Sequence, residues 1–293
     1  MLETGSDKIT VVWAHDHRLS DRLGGAQMTN TLMIERAPDW CNVLEVYPDN
    51  LDHVKIIPEQ VLVVLNNVRQ FSAPQLGKLT DVPFVIYAHD FWQHTERWQT
   101  RVYKRLIEQA ASHVFLSPLH KTGFESAWQT TLPEALVCPP AFDLDKYSCL
   151  EHFDKECSPD DVFVYLGEFG AHKGLADMDA WAKEHSVKID CYGWGDLSEY
   201  LYLRDMGTLK PETVPAFLSR QAGALVFMPA DLEPFGRVSA EGILSGCTPV
   251  YNDNVGSLSY GWQTLEDWQD ALAEAPDTFW QHLWDTYQTS QAS

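Results

Sequence analysis

Basic residues are scarce in this sequence: 21 lysines and arginines stand against 42 acids in 293 residues, a formal net charge of −21. A field of that sign repels phosphate backbones and anionic headgroups outside any local basic pocket, so non-specific nucleic-acid binding is disfavoured. Cysteine is scarce as well. Cys41, Cys138, Cys149, Cys157, Cys191 and Cys247 form no C-x2-C pair and no zinc-ligand rhythm, which argues against a stapled secreted domain and for reduced thiols. No stretch approaches the roughly 20 apolar residues that cross a bilayer. The opening Met1-Leu2-Glu3-Thr4 lacks the basic-then-apolar pattern of a secretory leader, so a cytoplasmic location is expected. Low-complexity tracts and repeats at solenoid periods are missing too.

What is present describes a folded chain. Hydrophobic residues at 45% and charged residues at 22% fit a globular protein, and the length suits two domains better than one. The acidity is uneven: residues 1–145 carry 12 bases and 18 acids, residues 146–293 carry 9 and 24. Short β-branched runs at 9–13, 43–47, 61–65, 84–88, 114–116 and 136–138 read as strands, with helical patterns at 26–36, 97–111 and 118–129. Periodicity fades across 139–161 and restarts with strands at 162–166, 187–192, 224–228 and 248–251 and helices at 175–185, 211–220 and 237–245. Continuous apolar strands alternating with helices predict two doubly wound parallel sheets covered on both faces, facing a cleft. The expected division is a first Rossmann-like domain at 1–145, a second at 146–262 and a helical tail at 263–293, its helix broken at Pro276 and its aromatics packed on the body.

The most informative stretch is Glu233-Pro234-Phe235-Gly236-Arg237-Val238-Ser239-Ala240-Glu241, which follows a strand and enters a helix near Gly236. Free backbone N–H groups and the positive end of a helix dipole make such a junction a phosphate site. Glu233 and Glu241 are bidentate acceptors for vicinal hydroxyls at two depths beside it. A phosphate cradle beside two hydroxyl acceptors describes a sugar-nucleotide site.

This segment resembles the E-x7-E signature of retaining glycosyltransferases of family 4, which have the GT-B fold of two Rossmann-like domains. Gly24-Gly25 resembles that family's glycine loop after the first strand, His89-Asp90 its cleft histidine, and the segment from Gly167 to Lys173-Gly174 its G-R-x4-K-G element. The resemblance implies an enzyme that moves a sugar from a nucleotide-diphosphate donor to a hydroxyl acceptor with retention and without a metal cofactor. By the same resemblance, Glu233 accepts hydrogen bonds from the transferred sugar. Phe235 and Gly236 offer N–H groups, Arg237 and Lys173 meet the diphosphate, and Glu241 holds the ribose. Gly24 and Gly25 approach the phosphates, His89 lines the reaction centre, and Asp90 orients it or meets the acceptor. Apart from the resemblance, a nucleotide base is expected near the Gly193-Trp194-Gly195 loop and near Gly207-Thr208-Leu209.

One departure stands out. Glu168 occupies the position of the usual arginine, and a unit pair at about 4 Å in an effective dielectric near 20 is worth about 4 kcal/mol, so the exchange is not neutral if Glu168 faces phosphate. It turns away, or Arg237 or Arg204 compensates, or the donor site is weak. A catalytically silent nucleotide-sugar or glycan-binding module is therefore the alternative to an enzyme. A hydroxymethylated DNA base, as in virus-type enzymes, is an alternative acceptor, served by Arg97, Arg101, Lys104 and Arg105 on one helix, although the net charge disfavours it. His15-Asp16-His17 has alternate spacing but no third metal ligand, and His89 with His94 is badly spaced for one. Gly193-Trp194-Gly195 lacks the third glycine of a dinucleotide loop.

Overall fold

The computed structural model describes residues 8–21, 24–54, 60–92, 97–147, 162–221 and 223–292. Cys149, Cys157, His94 and most of the 139–161 connection fall outside them. The chain divides into two units, one of residues 1–116, 121–142 and 274–293, the other of 117–120 and 143–273.

Unit 1 is a six-stranded sheet in the order β2-β1-β3-β4-β5-β6, parallel throughout. Its strands are β1 (Ile9–Ala14), β2 (Cys41–Val46), β3 (Val61–Leu65), β4 (Phe84–Tyr87), β5 (Ser112–Phe115) and β6 (Leu136–Val137). The helices are α1 (Gly25–Glu35), α2 (Ala73–Thr80), α3 (Arg97–Gln109) and, from residue 121 onward, α4 (Pro118–Trp128). Val61–Leu65 is buried at every position, as an unbroken run of β-branched and leucine side chains requires for a strand covered on both faces. Helix α2 escaped the apolar pattern because Pro74 and Gly77 interrupt it. It begins instead on a capping box, Ser72 with Gln75, whose side chains each satisfy the other's backbone N–H.

Unit 2 is a five-stranded parallel sheet, β11-β10-β7-β8-β9. It is built from β7 (Phe163–Phe169), β8 (Ile189–Gly195), β9 (Leu203–Asp205), β10 (Ala224–Phe227) and β11 (Thr248–Tyr251), with α5 (Leu175–Glu184), α6 (Val214–Gln221) and α7 (Arg237–Leu244). Phe163, Tyr165 and Phe169 pack with Leu175 and Met178 of α5 on one face. Val164 packs with Leu218 of α6 and Leu225 on the other. Gly246 closes α7 at φ 79°, the left-handed geometry that suits glycine after a helix.

The tail is one helix, α8 (Leu265–Gln291), not two: it runs through Pro276 without a break. An interior proline costs about 3 kcal/mol. Burial of Phe279, Trp280 and Leu283, each within 2% of full burial, offsets it at about 1.5–3 kcal/mol apiece. Phe279 and Trp280 lie 5.6 and 5.9 Å from the Trp13 ring, and the Trp280 indole donates to the Met33 carbonyl at 3.0 Å. No helix among the described residues is long and apolar enough to cross a membrane. The described cysteines, Cys41, Cys138, Cys191 and Cys247, are buried free thiols, and burial pushes Cys138, Cys191 and Cys247 up to about 12.

Candidate functional site

In unit 2 the strand order reverses between β7 and β10, because the chain moves outward through β8 and β9 before returning to the other side of β7. Open parallel sheets bind ligands at such a switch point, off the carboxyl ends of the strands. The loops leaving β7 and β10 carry Lys173 and Glu233. Their side chains form an ion pair, Lys173 Nζ to Glu233 Oε2 at 2.7 Å, with both partners about three-quarters buried.

Backbone packing sets this pair. Gly174 has φ 74°, and a Cβ there would lie 1.7 Å from the Met228 carbonyl oxygen, so the β7 loop fits against the β10 loop only with glycine. The Ala230 N–H donates to the His172 carbonyl at 3.1 Å across the same contact. Glu233 is fixed at both backbone groups: its N–H donates to Asn254 O at 2.8 Å and its carbonyl accepts from Gly256 N at 2.9 Å. The next carbonyl, of Pro234, accepts from the Ser117 hydroxyl at 2.6 Å. Gly236, at φ 76°, then turns the chain into α7. Phe235 is buried beneath the turn, and within the first turn of α7 the Ser239 N–H folds back onto the Gly236 carbonyl at 2.8 Å.

One turn into α7, Glu241 is mostly buried, its side chain 13% exposed. Its carboxylate pairs with Arg237 Nε at 3.3 Å and accepts a hydrogen bond from the Tyr147 hydroxyl. Desolvation raises the Glu241 carboxyl above its ordinary value, with Arg237 and Tyr147 opposing. Each cation of the E-x7-E segment and its surroundings is thus matched with a carboxylate. Leu209 is half-buried on a loop that joins β8 through the Gly193 N–H to Gly207 O bond at 2.8 Å.

Glu168 lies on the sheet face of Val164 and Leu166, opposite Tyr165 and Phe169. Its side chain therefore leaves β7 on the opposite face from Tyr165, whose hydroxyl donates to the Glu168 carbonyl at 2.8 Å. Arg204, one of the two proposed compensating bases, is engaged with Asp190 at 2.6 Å.

Unit 1 has its own switch point, between β1 and β3. Gly24 is the extended residue before α1 and Gly25 opens that helix. His89, buried after β4, packs edge-on against Tyr87 with ring centroids 4.5 Å apart. Asp90 accepts the Trp92 N–H at 2.8 Å and pairs with Arg69 at 2.8 Å. Sequence reading missed what surrounds them. Asp16 accepts the backbone N–H groups of Arg69 and Gln70 at 2.9 and 2.8 Å, and burial pushes its carboxyl up to about 6. His15 contacts Glu45 at 3.1 Å and Asn30 at 3.3 Å, while His17 contacts Gln70, so the two histidines are spent on different partners. Among the described residues, no three His, Cys, Asp or Glu side chains converge as a metal site.

No protein-family model matches this sequence, and no curated protein matches it either. Solved structures do. The chain is similar to Anabaena HepE, crystallised with UDP and glucose, at 16% identity and a TM-score of 0.61, over 96% of this chain and 100% of that one. It is similar to AviGT4, a glycosyltransferase of avilamycin A biosynthesis, at 13% identity and a TM-score of 0.63, over 97% and 98%. Sucrose-phosphate synthase of Thermosynechococcus elongatus matches at 14% identity and a TM-score of 0.63, over 97% and 94%. Two helix-flanked parallel sheets matched along nearly the whole chain give the protein the α/β architecture of the GT-B glycosyltransferases.

Proposed function

We propose that the protein is a retaining glycosyltransferase related to family 4, which moves a sugar from a nucleotide-diphosphate donor to a hydroxyl acceptor. The observation that carries this reading is the Lys173–Glu233 pair at the β7/β10 switch point, beside the glycine-opened start of α7. The fold likeness to HepE, solved with UDP-glucose, supports the donor class.

In this reading the donor replaces an internal ion pair. Its diphosphate takes Lys173, the α7 amides and Arg237, while a sugar hydroxyl takes the carboxylate of Glu233. Glu241, held by Tyr147, accepts the ribose hydroxyls. The acceptor oxygen bonds the anomeric carbon on the face from which the diphosphate leaves. The bond from that carbon to the phosphate oxygen breaks, and the acceptor proton passes to the departing phosphate. Positive charge at the leaving group and positioning supply the rate, and the lysine, arginine and helix amides meet that need without a metal. In the same reading Gly24 and Gly25 approach the phosphates, His89 lines the reaction centre, and Asp90 orients it or meets the acceptor.

A screen of nucleotide sugars for slow donor hydrolysis tests the proposal before any acceptor is known. Turnover of one donor that is lost in Lys173→Ala supports it. Nucleotide binding without hydrolysis or transfer over a broad acceptor panel favours a silent module instead, a reading motivated by the pairing of Lys173 and Arg237 with Glu233 and Glu241. A modified-DNA acceptor rests on the exposed Arg101, Lys104 and Arg105 of α3. It predicts activity that falls steeply with salt, whereas salt-insensitive transfer to small acceptors removes it.

A further inference from the structure

The two longest strands of unit 2, β7 and β8, extend beyond the helices that cover them. On the α6 face their register brings together Val164 with Asp190, Leu166 with Tyr192, and Glu168 with Trp194. The first two steps are covered: Val164 packs on Leu218, and Tyr192 meets Phe217 of α6 edge-on at 4.8 Å. The third step, at the carboxyl edge, is open. Trp194 is 56% exposed there, an uncommon cost for so large an aromatic, with a carboxylate on the neighbouring strand.

The edge also has a distance relation to the proposed donor site. Gly242 of α7 packs on Leu225 of β10, a residue of the α6-face cluster, so α7 with Glu241 lies on the same face as Glu168 and Trp194. β7 is one strand from β10 and β8 is two, about 5 and 10 Å across the sheet, and Glu168 lies four residues beyond Val164, the register partner of Leu225, about 13 Å further toward the carboxyl edge. A ribose on Glu241 would carry its base across that interval. Asp190, the other carboxylate of this face on β8, is taken by Arg204.

We infer that Trp194 and Glu168 read the nucleobase of the donor, and that the base is guanine; the inference rests on the nucleotide-sugar reading of the α7 site. Trp194 stacks on the ring and Glu168 accepts from its edge. A carboxylate has two acceptors and no donor. Guanine alone presents two adjacent donors, N1–H and the exocyclic N2–H, which match a carboxylate two-to-two. Uracil offers one N–H between two carbonyls, and adenine sets an acceptor nitrogen beside its amino group. The acid standing where related sequences carry arginine is then a specificity element, not a defect of the phosphate site.

Calorimetric titration of GDP, UDP and ADP into the wild-type protein and into Glu168→Ala, Trp194→Ala and Trp194→Phe tests this. Wild type is expected to bind GDP about tenfold more tightly than UDP or ADP, and Glu168→Ala to bring GDP to the level of the other two. Trp194→Ala is expected to weaken all three about tenfold, with Trp194→Phe restoring most of the loss. Both side chains sit at a solvent-facing edge, and thermal unfolding verifies that the variants fold; the GDP preference of the wild type is decisive even if one does not. Equal binding of the three nucleotides, a GDP preference that survives in Glu168→Ala, or an indifferent Trp194→Ala overturns the base reading and leaves the donor site standing. Failure of every nucleotide to bind wild type removes the donor reading and this one together.

Discussion

The two units repeat one topology and furnish it differently. Both reverse strand order beside their first strand, β1/β3 in unit 1 and β7/β10 in unit 2. At the unit 2 switch point the backbone does most of the shaping: Gly174 and Gly236 hold φ of 74° and 76°, and the loop of Gly174 touches the loop after β10. Few side chains are needed, and those present are charged. The unit 1 switch point is built from side chains drawn from distant segments. Asn66 donates to Asn30 at 2.7 Å, Asn30 reaches His15, His15 reaches Glu45, and Asp16 clamps the turn at Arg69 and Gln70. A tight loop with bare amides suits an anion of fixed shape. A network of amides, imidazoles and carboxylates suits neutral hydroxyls, and the difference accords with the proposed placement of the diphosphate in unit 2.

Breaking the contrast at Lys173 has the largest expected effect. Lys173→Ala lowers donor turnover by roughly a hundredfold or more, because charge at the leaving group is lost, and steady-state hydrolysis measures it. Glu233→Gln sharpens the same point by separating two quantities. It frees Lys173, so a bare nucleoside diphosphate binds more tightly while sugar transfer falls. Next is Gly174→Ala, which combines a left-handed backbone with a clash against a carbonyl and costs about 3 kcal/mol by denaturant titration. No comparable backbone clash exists at Gly24, whose added Cβ meets only the flexible end of Gln27, so Gly24→Ala is near neutral for stability.

The unit 1 clamp gives a smaller, pH-dependent effect. Asp16 titrates near 6 in the fold against 3.8 in the unfolded chain, so the folded state holds its proton more strongly and stability from this group falls as pH rises from about 4 to 6. Asp16→Asn removes that slope: relative to wild type it is more favourable at pH 7 than at pH 4 by roughly 2 kcal/mol. An unchanged difference at the two pH values contradicts the assignment. Smallest of all is Arg69→Ala. Its partner Asp90 is reached from a half-exposed guanidinium, and such a pair contributes about 0–1 kcal/mol.

The same contrast explains what the sequence made legible. The E-x7-E segment and Lys173-Gly174 are local patterns, and it was their resemblance to one family's elements that led us to expect both at a single site. The Ser117 hydroxyl on Pro234, Tyr147 on Glu241 and Asp16 on Arg69 could not be anticipated, because each joins residues separated by 50 or more positions or by a strand whose register is unknown beforehand. Strand β9 was missed because Leu203–Asp205 is too short to show a period, and helix α2 because its signal was a cap and not a stripe. At Pro276 the local rule was read correctly and overruled by the burial of Phe279, Trp280 and Leu283.

The most direct test of the central claim is a calorimetric titration of UDP, GDP and ADP into the wild type and Lys173→Ala. Binding of at least one nucleotide to wild type, weakened about tenfold or more by the substitution, is the predicted result. Absence of binding by all three, or equal affinity in the two proteins, would contradict a donor site at the β7/β10 switch point.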